Sequence, residues 1–115
     1  MTARTVYHIA TEDDWRAAEA AGSYRGGATA RSDGFLHFST AEQIVESAAK
    51  HWAGRAGVLL AVEAAKLGAS LTWEPSRGGK LFPHVYGDVS LTAVLSARPL
   101  ILGPDGRHVF PRLES

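Results

Sequence analysis

The sequence predicts an α+β fold built on a mostly antiparallel sheet, and three observations carry that prediction. Helical periodicity is confined to the first half of the chain, at Thr11–Gly22 and at Ile44–Trp52. Strand-like runs dominate the second half, at Val58–Val62, Leu71–Glu74, Val89–Leu95 and Leu100–Leu102. The resulting order, βα-βα-βββ with helices early and strands late, is that of segregated rather than regularly alternating elements. The 115 residues form one domain, residues 1–115, large enough to build a core without metal or disulfide staples.

Arg4–Ile9 reads as a strand, with Tyr7 and Ile9 facing one way and Val6 and His8 the other. Thr11 offers an N-cap oxygen, and Glu12, Asp13 and Asp14 place negative charge at the positive end of the helix dipole. Gly22 is the stop signal for that helix. Tyr24–Asp33 is glycine-rich and polar and reads as a loop. Phe35–Phe38 is a short strand, and Ser39/Glu42 and Thr40/Gln43 both fit a capping box for a second helix. Ile44, Ala48 and Trp52 then form an i, i+4, i+8 stripe facing the core, with a stop near Gly54. Val58–Val62 is continuously apolar, the mark of a strand buried on both faces. In Val89–Leu95 the residues Val89, Leu91, Ala93 and Leu95 share one face. Leu100–Leu102 and His108–Phe110 bracket a Gly-Pro-Asp-Gly turn and predict a final hairpin.

Composition excludes several classes of function. The chain has no cysteine, which removes disulfides, thiol catalysis and Cys-based zinc or iron–sulfur sites. Twelve basic and twelve acidic residues cancel, so no global field draws in nucleic acid or an anionic membrane. Nucleic acid is therefore disfavoured as a partner, although Arg25, Arg31, Arg77 and Lys80 form a local basic set that suits a short RNA end. No apolar run approaches the roughly 20 residues that span a bilayer, and the N-terminus carries no apolar signal region. A bacterial-style cytoplasmic domain is the expected setting.

The segment from Trp73 to Gly87 concentrates the groups able to do chemistry. Its two prolines and three glycines predict irregular structure, yet it carries Trp73, Glu74, Arg77, Lys80, His84 and Tyr86. Loops on a rigid scaffold are where binding and catalytic groups gather. His84 follows Pro83, which restrains the backbone, and histidine is the natural proton donor or acceptor at neutral pH. His8 and His37 lie in the two early strands, and His84, His8 and His37 are the candidate catalytic residues of one shared cleft. Each strand histidine alone is as well explained by a hydrogen bond inside the fold. Ser39 and Thr40 are first of all helix caps, at a helix start that also suits phosphate or carboxylate. Arg77, before a Gly-Gly pair, offers a planar fork for the same anions, and Glu74 is a candidate base. Phe38, Ser39, Thr40, Trp73, Glu74, Arg77 and Tyr86 complete the candidate ligand-binding set. No His-x-His or His-x-x-x-His pair provides a bidentate anchor, so no metal site is expected. His51 and His108 read as surface residues. No Walker loop, dinucleotide fingerprint or nucleophile elbow is present.

These motifs resemble those of the family catalogued as domain of unknown function 952. The resemblance runs through Val6-Tyr-His-Ile9, Trp15, Gly22-Ser-Tyr24, Asp33-Gly-Phe-Leu-His-Phe-Ser-Thr40-Ala-Glu-Gln43, Trp73-Glu-Pro-Ser-Arg-Gly-Gly79, Leu81-Phe-Pro-His-Val-Tyr-Gly87 and Phe110-Pro111. Through that family it implies an ADP-ribosyltransferase-like fold: a split sheet with two main helices and a cleft for NAD. On that resemblance His8 would hold a ribose, Phe38 or His37 would flank the nicotinamide, and the region around His84 would carry the late catalytic residue. Many such transferases have glutamate at that place, where this chain has His84. Histidine there cannot supply a fixed negative charge.

The expected function is thus an enzyme that binds a nucleotide-like ligand, with NAD a candidate cofactor, and acts at a ribose or phosphate. The alternative is a non-catalytic module for a small anionic metabolite or protein partner. Substrate and oligomeric state are not specified by the sequence.

Overall fold

The computed structural model describes residues 3–115, apart from the side chain of Arg77. It is an α+β fold in which every strand pairing is antiparallel among the described residues. The first strand, β1 (Thr5–Ala10), leads into α1 (Glu12–Ala21). Thr11 caps that helix as expected: its hydroxyl accepts from the Asp14 N–H, and Gly22 closes the helix at φ 83°. The stretch predicted as a loop after Gly22 holds β2 (Ser23–Tyr24) and a short helix, α2 (Ala28–Asp33). None of the α2 residues is buried, so no apolar stripe announces it in the sequence.

A second correction concerns the next helix. After β3 (Leu36–His37), α3 spans Ile44–His51 and has no side-chain cap. Ser39 and Thr40 precede a turn instead of capping the helix. Gln43 keeps half of the expected box by accepting from the Thr40 N–H, and its amide donates to the Leu81 carbonyl, a competing tertiary bond. Ile44 and Ala48 are buried as their spacing predicts, with Trp52 packed beside them. The central strand β4 (Gly57–Glu63) is followed by a 3₁₀ segment, Ala64–Ser70.

The proline- and glycine-rich stretch is not irregular, contrary to the sequence expectation. It is a hairpin of β5 (Leu71–Pro75) and β6 (Leu81–Val85), joined by a 3₁₀ turn at Arg77–Gly79. Pro83 fits a central strand because it faces Trp73 on one side, while on the other its carbonyl accepts from the Phe38 N–H. The expected strand Val89–Leu95 is also interrupted. It divides into β7 (Val89–Ser90), a 3₁₀ turn capped by the Ser90 hydroxyl, and β8 (Val94–Leu102). Leu95 is consequently exposed rather than on a buried face. The predicted final hairpin is present, with β8 turning into β9 (His108–Val109).

These strands form a four-stranded sheet of order β1-β4-β8-β9, a three-stranded sheet of order β3-β6-β5, and the small pair β2-β7. One bridge, Tyr7 to Ser39, links the two larger sheets through paired N–H···O bonds of 2.7 and 2.8 Å. Core packs on both faces of the four-stranded sheet. Val6, Leu60 and Val62 meet Ala18, Tyr24, Leu36, Phe38 and Val85 on one face, and Tyr7, Ile9, Leu59 and Leu100 meet Ile44 and Ala48 on the other. Among the described residues no helix is long and apolar enough to cross a membrane.

Candidate functional site

Strand alternation decides which of the candidate groups meet. Leu36 of β3 and Phe38 just after it point into the core, so His37 between them points to the opposite face. His37 lies directly across from His84 of β6. Because the Phe38 N–H donates to Pro83, the His37/His84 pair is the non-hydrogen-bonded kind, in which facing side chains come closest. Their ring centroids are 5.4 Å apart and nearly perpendicular.

Each of these imidazoles is held by a carboxylate. His84 Nδ1–H donates to Glu74 Oε1 at 2.8 Å, and His37 Nε2–H donates to Asp33 Oδ2 at 2.6 Å. Glu74 also accepts from the Tyr86 hydroxyl at 2.6 Å. Those two bonds, Tyr86 first and His84 second, hold the Glu74 carboxyl below its ordinary range, while the carboxylate raises the Tyr86 phenol. Phe35 stacks on His84 at 4.3 Å and lies 4.6 Å from His37 and 5.2 Å from Tyr86. His84 is only 8% exposed at its side chain and His37 52%, so one imidazole is sunk in the face and the other stands above it. The result is two imidazole–carboxylate pairs around an aromatic residue.

His8 does not join this face. Val6 and His8 share the side of β1 that packs on Phe38 and Tyr24, and the His8 ring lies 5.0 and 5.1 Å from those two rings. A carbonyl only accepts, so the 2.6 Å contact with the His37 oxygen fixes the proton on His8 Nδ1. The bare Nε2 then accepts from the Tyr24 hydroxyl at 2.7 Å. Loss of hydration on burial is the main cause that lowers the His8 pKa to about 4, so the ring is neutral at pH 7. Burial, with the Asp14 charge behind it, raises the Tyr24 phenol. Beyond the Tyr7–Ser39 bridge, this side chain supplies the next link between β1 and β3.

The remaining candidates scatter. Phe38 is buried in the core and Ser39 is buried with its hydroxyl on Ser47. Trp73 takes the face opposite Glu74, packs on the core and borders a separate hollow of about 650 Å³ with Arg4, Thr5, Glu63, Leu71 and Leu95. A second hollow of about 310 Å³ lies near Tyr7 and Arg98, so neither contains His37 or His84. Thr40 is partly buried, and the Arg77 side chain lies outside the described residues. His108, expected at the surface, is partly buried and donates to the Arg55 carbonyl at 2.8 Å. Asp33 and Phe35 also belong to the cluster, beyond the residues expected from the sequence. Their signals were the i, i+4 spacing of Asp33 to His37 and the i, i+2 spacing of Phe35 to His37. Among the described residues no group of three or more His, Asp or Glu side chains is placed to hold a metal ion.

The family model described as "Protein of unknown function (DUF952)" matches residues 9–97. The chain belongs to this family. Protein CC0527 from Caulobacter crescentus is similar throughout: its crystal structure shares 44% identity at a TM-score of 0.86, covering 91% of this chain and 93% of that one. A double-methionine variant of CC0527 gives 43% identity and the same TM-score and coverage. The solution structure of CC0527 gives 45% identity, a TM-score of 0.79 and 90% coverage of both chains. A search of curated proteins finds no significant match.

Proposed function

We propose that this DUF952 protein is an enzyme that binds a nucleotide-like ligand on the His37/His84 face and performs acid–base chemistry at its ribose or phosphate. The observation that carries this reading is the cross-strand pair of imidazoles 5.4 Å apart, each with one nitrogen held by its own carboxylate. Such partners fix tautomer and orientation, which is what proton transfer in a defined direction requires. His84 and His37 are the proton-transfer groups, and Glu74 and Asp33 hold them. His8 is assigned to the fold through the His37 carbonyl rather than to the ligand.

The two-part antiparallel sheet supports an ADP-ribosyltransferase-like arrangement, with NAD as one ligand, by analogy of fold alone. Glu74 strengthens the analogy. The fixed negative charge that His84 cannot supply stands 2.8 Å from its ring. Calorimetry and product analysis with NAD, ADP-ribose and 2′-phosphorylated nucleotides test the reading. Binding at millimolar concentration or tighter, plus turnover lost in His84→Ala, is the expected outcome. No binding by any of these ligands contradicts it.

The depth of His84 beneath Phe35 favours one second reading, a non-catalytic module for a small anionic metabolite or protein partner. In that case His84→Ala weakens binding with no turnover to lose.

A further inference from the structure

The carboxylates on this face do more than hold the rings: they assign the working atoms. Glu74 occupies Nδ1 of His84 and leaves Nε2; Asp33 occupies Nε2 of His37 and leaves Nδ1. Among the described residues neither of these two nitrogens has a hydrogen-bond partner, and they belong to rings that face each other across the closest kind of strand pair. A single proton transfer needs one such nitrogen. Two, on facing rings, suit a displacement in which one oxygen loses a proton while another gains one.

Charge narrows the substrate. No described lysine or arginine pairs with Asp33 or Glu74, and the chain as a whole carries no net charge. A phosphomonoester or pyrophosphate brings more than one negative charge toward two carboxylates. A phosphodiester brings one, and a single protonated imidazole offsets it. A long polyanionic strand needs a row of cations, whereas the described ion-pair partners of Asp33 and Glu74 are imidazoles. Phe35 and the exposed Tyr86 stand beside the imidazoles, and aromatic rings are platforms for stacked bases.

We infer that the substrate is a small ribonucleotide phosphodiester cleaved by its own neighbouring 2′-hydroxyl, with Nε2 of His84 and Nδ1 of His37 as the proton-transfer atoms; this rests on the nucleotide-binding reading above. One neutral imidazole takes the proton of the 2′-hydroxyl as that oxygen forms a bond to phosphorus. The bond from phosphorus to the 5′-oxygen breaks, and that oxygen takes a proton from the other imidazole in its protonated form. The products are a 2′,3′-cyclic phosphate and a free 5′-hydroxyl. Neither water nor a redox partner enters the step.

The test incubates the purified protein with dinucleoside monophosphates and their 2′-deoxy counterparts and separates the products by chromatography. The expected result is a cyclic phosphate from the ribo substrates alone, with a bell-shaped pH dependence. The exposed His37→Ala variant should lose about 100-fold or more in rate, and His84→Gln should do the same while keeping its circular dichroism. Arg98→Ala, beside the distant hollow, should cleave as the natural protein does. Equal cleavage of deoxy substrates, or equal rates in His37→Ala, overturns the inference. Calorimetry on the same samples separates the two claims: binding without cleavage removes the diesterase and leaves the nucleotide site, whereas absence of binding removes both.

Discussion

Replacing His8 with asparagine should change how stability depends on pH, and the size of the change follows from the surroundings of the ring. His8 is linked to the His37 carbonyl and the Tyr24 hydroxyl, and its pKa falls from 6.5 to about 4 on folding. A lowered histidine pKa means that the unfolded chain binds the proton more readily. The stabilisation is therefore fully present above pH 6.5 and is lost as pH falls from 6.5 to 4. A difference of that size corresponds to about 3 kcal/mol, an upper figure because His8 keeps partial solvent exposure. An asparagine amide can still donate to the His37 carbonyl but strands the Tyr24 hydroxyl, which costs about 1–3 kcal/mol at pH 7.5. Urea unfolding followed by tryptophan fluorescence at several pH values between 7.5 and 4.5 measures both effects. His8→Asn should be the less stable protein at pH 7.5, and the gap should close as the solution is acidified. A gap that stays constant across that range refutes the neutral, doubly bonded His8.

Two further outcomes probe neighbouring parts of the account. In Glu74→Gln the Tyr86 phenol should titrate closer to its ordinary value, because the carboxylate that raises it is gone; two-dimensional NMR of the tyrosine rings against pH reads this directly. Gly57→Ala should destabilise the fold by about 1–3 kcal/mol, since a Cβ there would meet the Ala10 carbonyl at 2.8 Å and Ile9 and Trp52 side-chain atoms at 3.0 Å. Thermal unfolding checks it, and an unchanged midpoint would mean that β1 and β4 pack more loosely at that end.

Local signals in the sequence were enough for the elements they govern. Thr11, Gly22 and the Gly-Pro-Asp-Gly turn act through bonds to near neighbours, and the structure places each as expected. Elements that depend on distant partners were hidden. Pro83 argues against a central strand until β3 supplies a donor to its carbonyl, and α2 has no buried stripe to reveal it. The site shows the same division. Alternation along residues 36–38 already separates His37 from Phe38, but the register that sets His37 opposite His84 joins residues 47 positions apart, and no local pattern encodes it. His8 stays apart from the cluster for a different reason: its side of β1 packs on Phe38 and Tyr24, the face opposite His37.

The most direct test of the central claim is a long-range ¹⁵N NMR spectrum of the imidazoles recorded during titration with a dinucleoside monophosphate and with ADP-ribose. In the free protein His84 should carry Nδ1–H and His37 Nε2–H, and ligand should shift those two rings together while His8 stays in place. Unmoved His37 and His84 rings at millimolar ligand, or a proton on the other nitrogen of either ring, would sink the assignment.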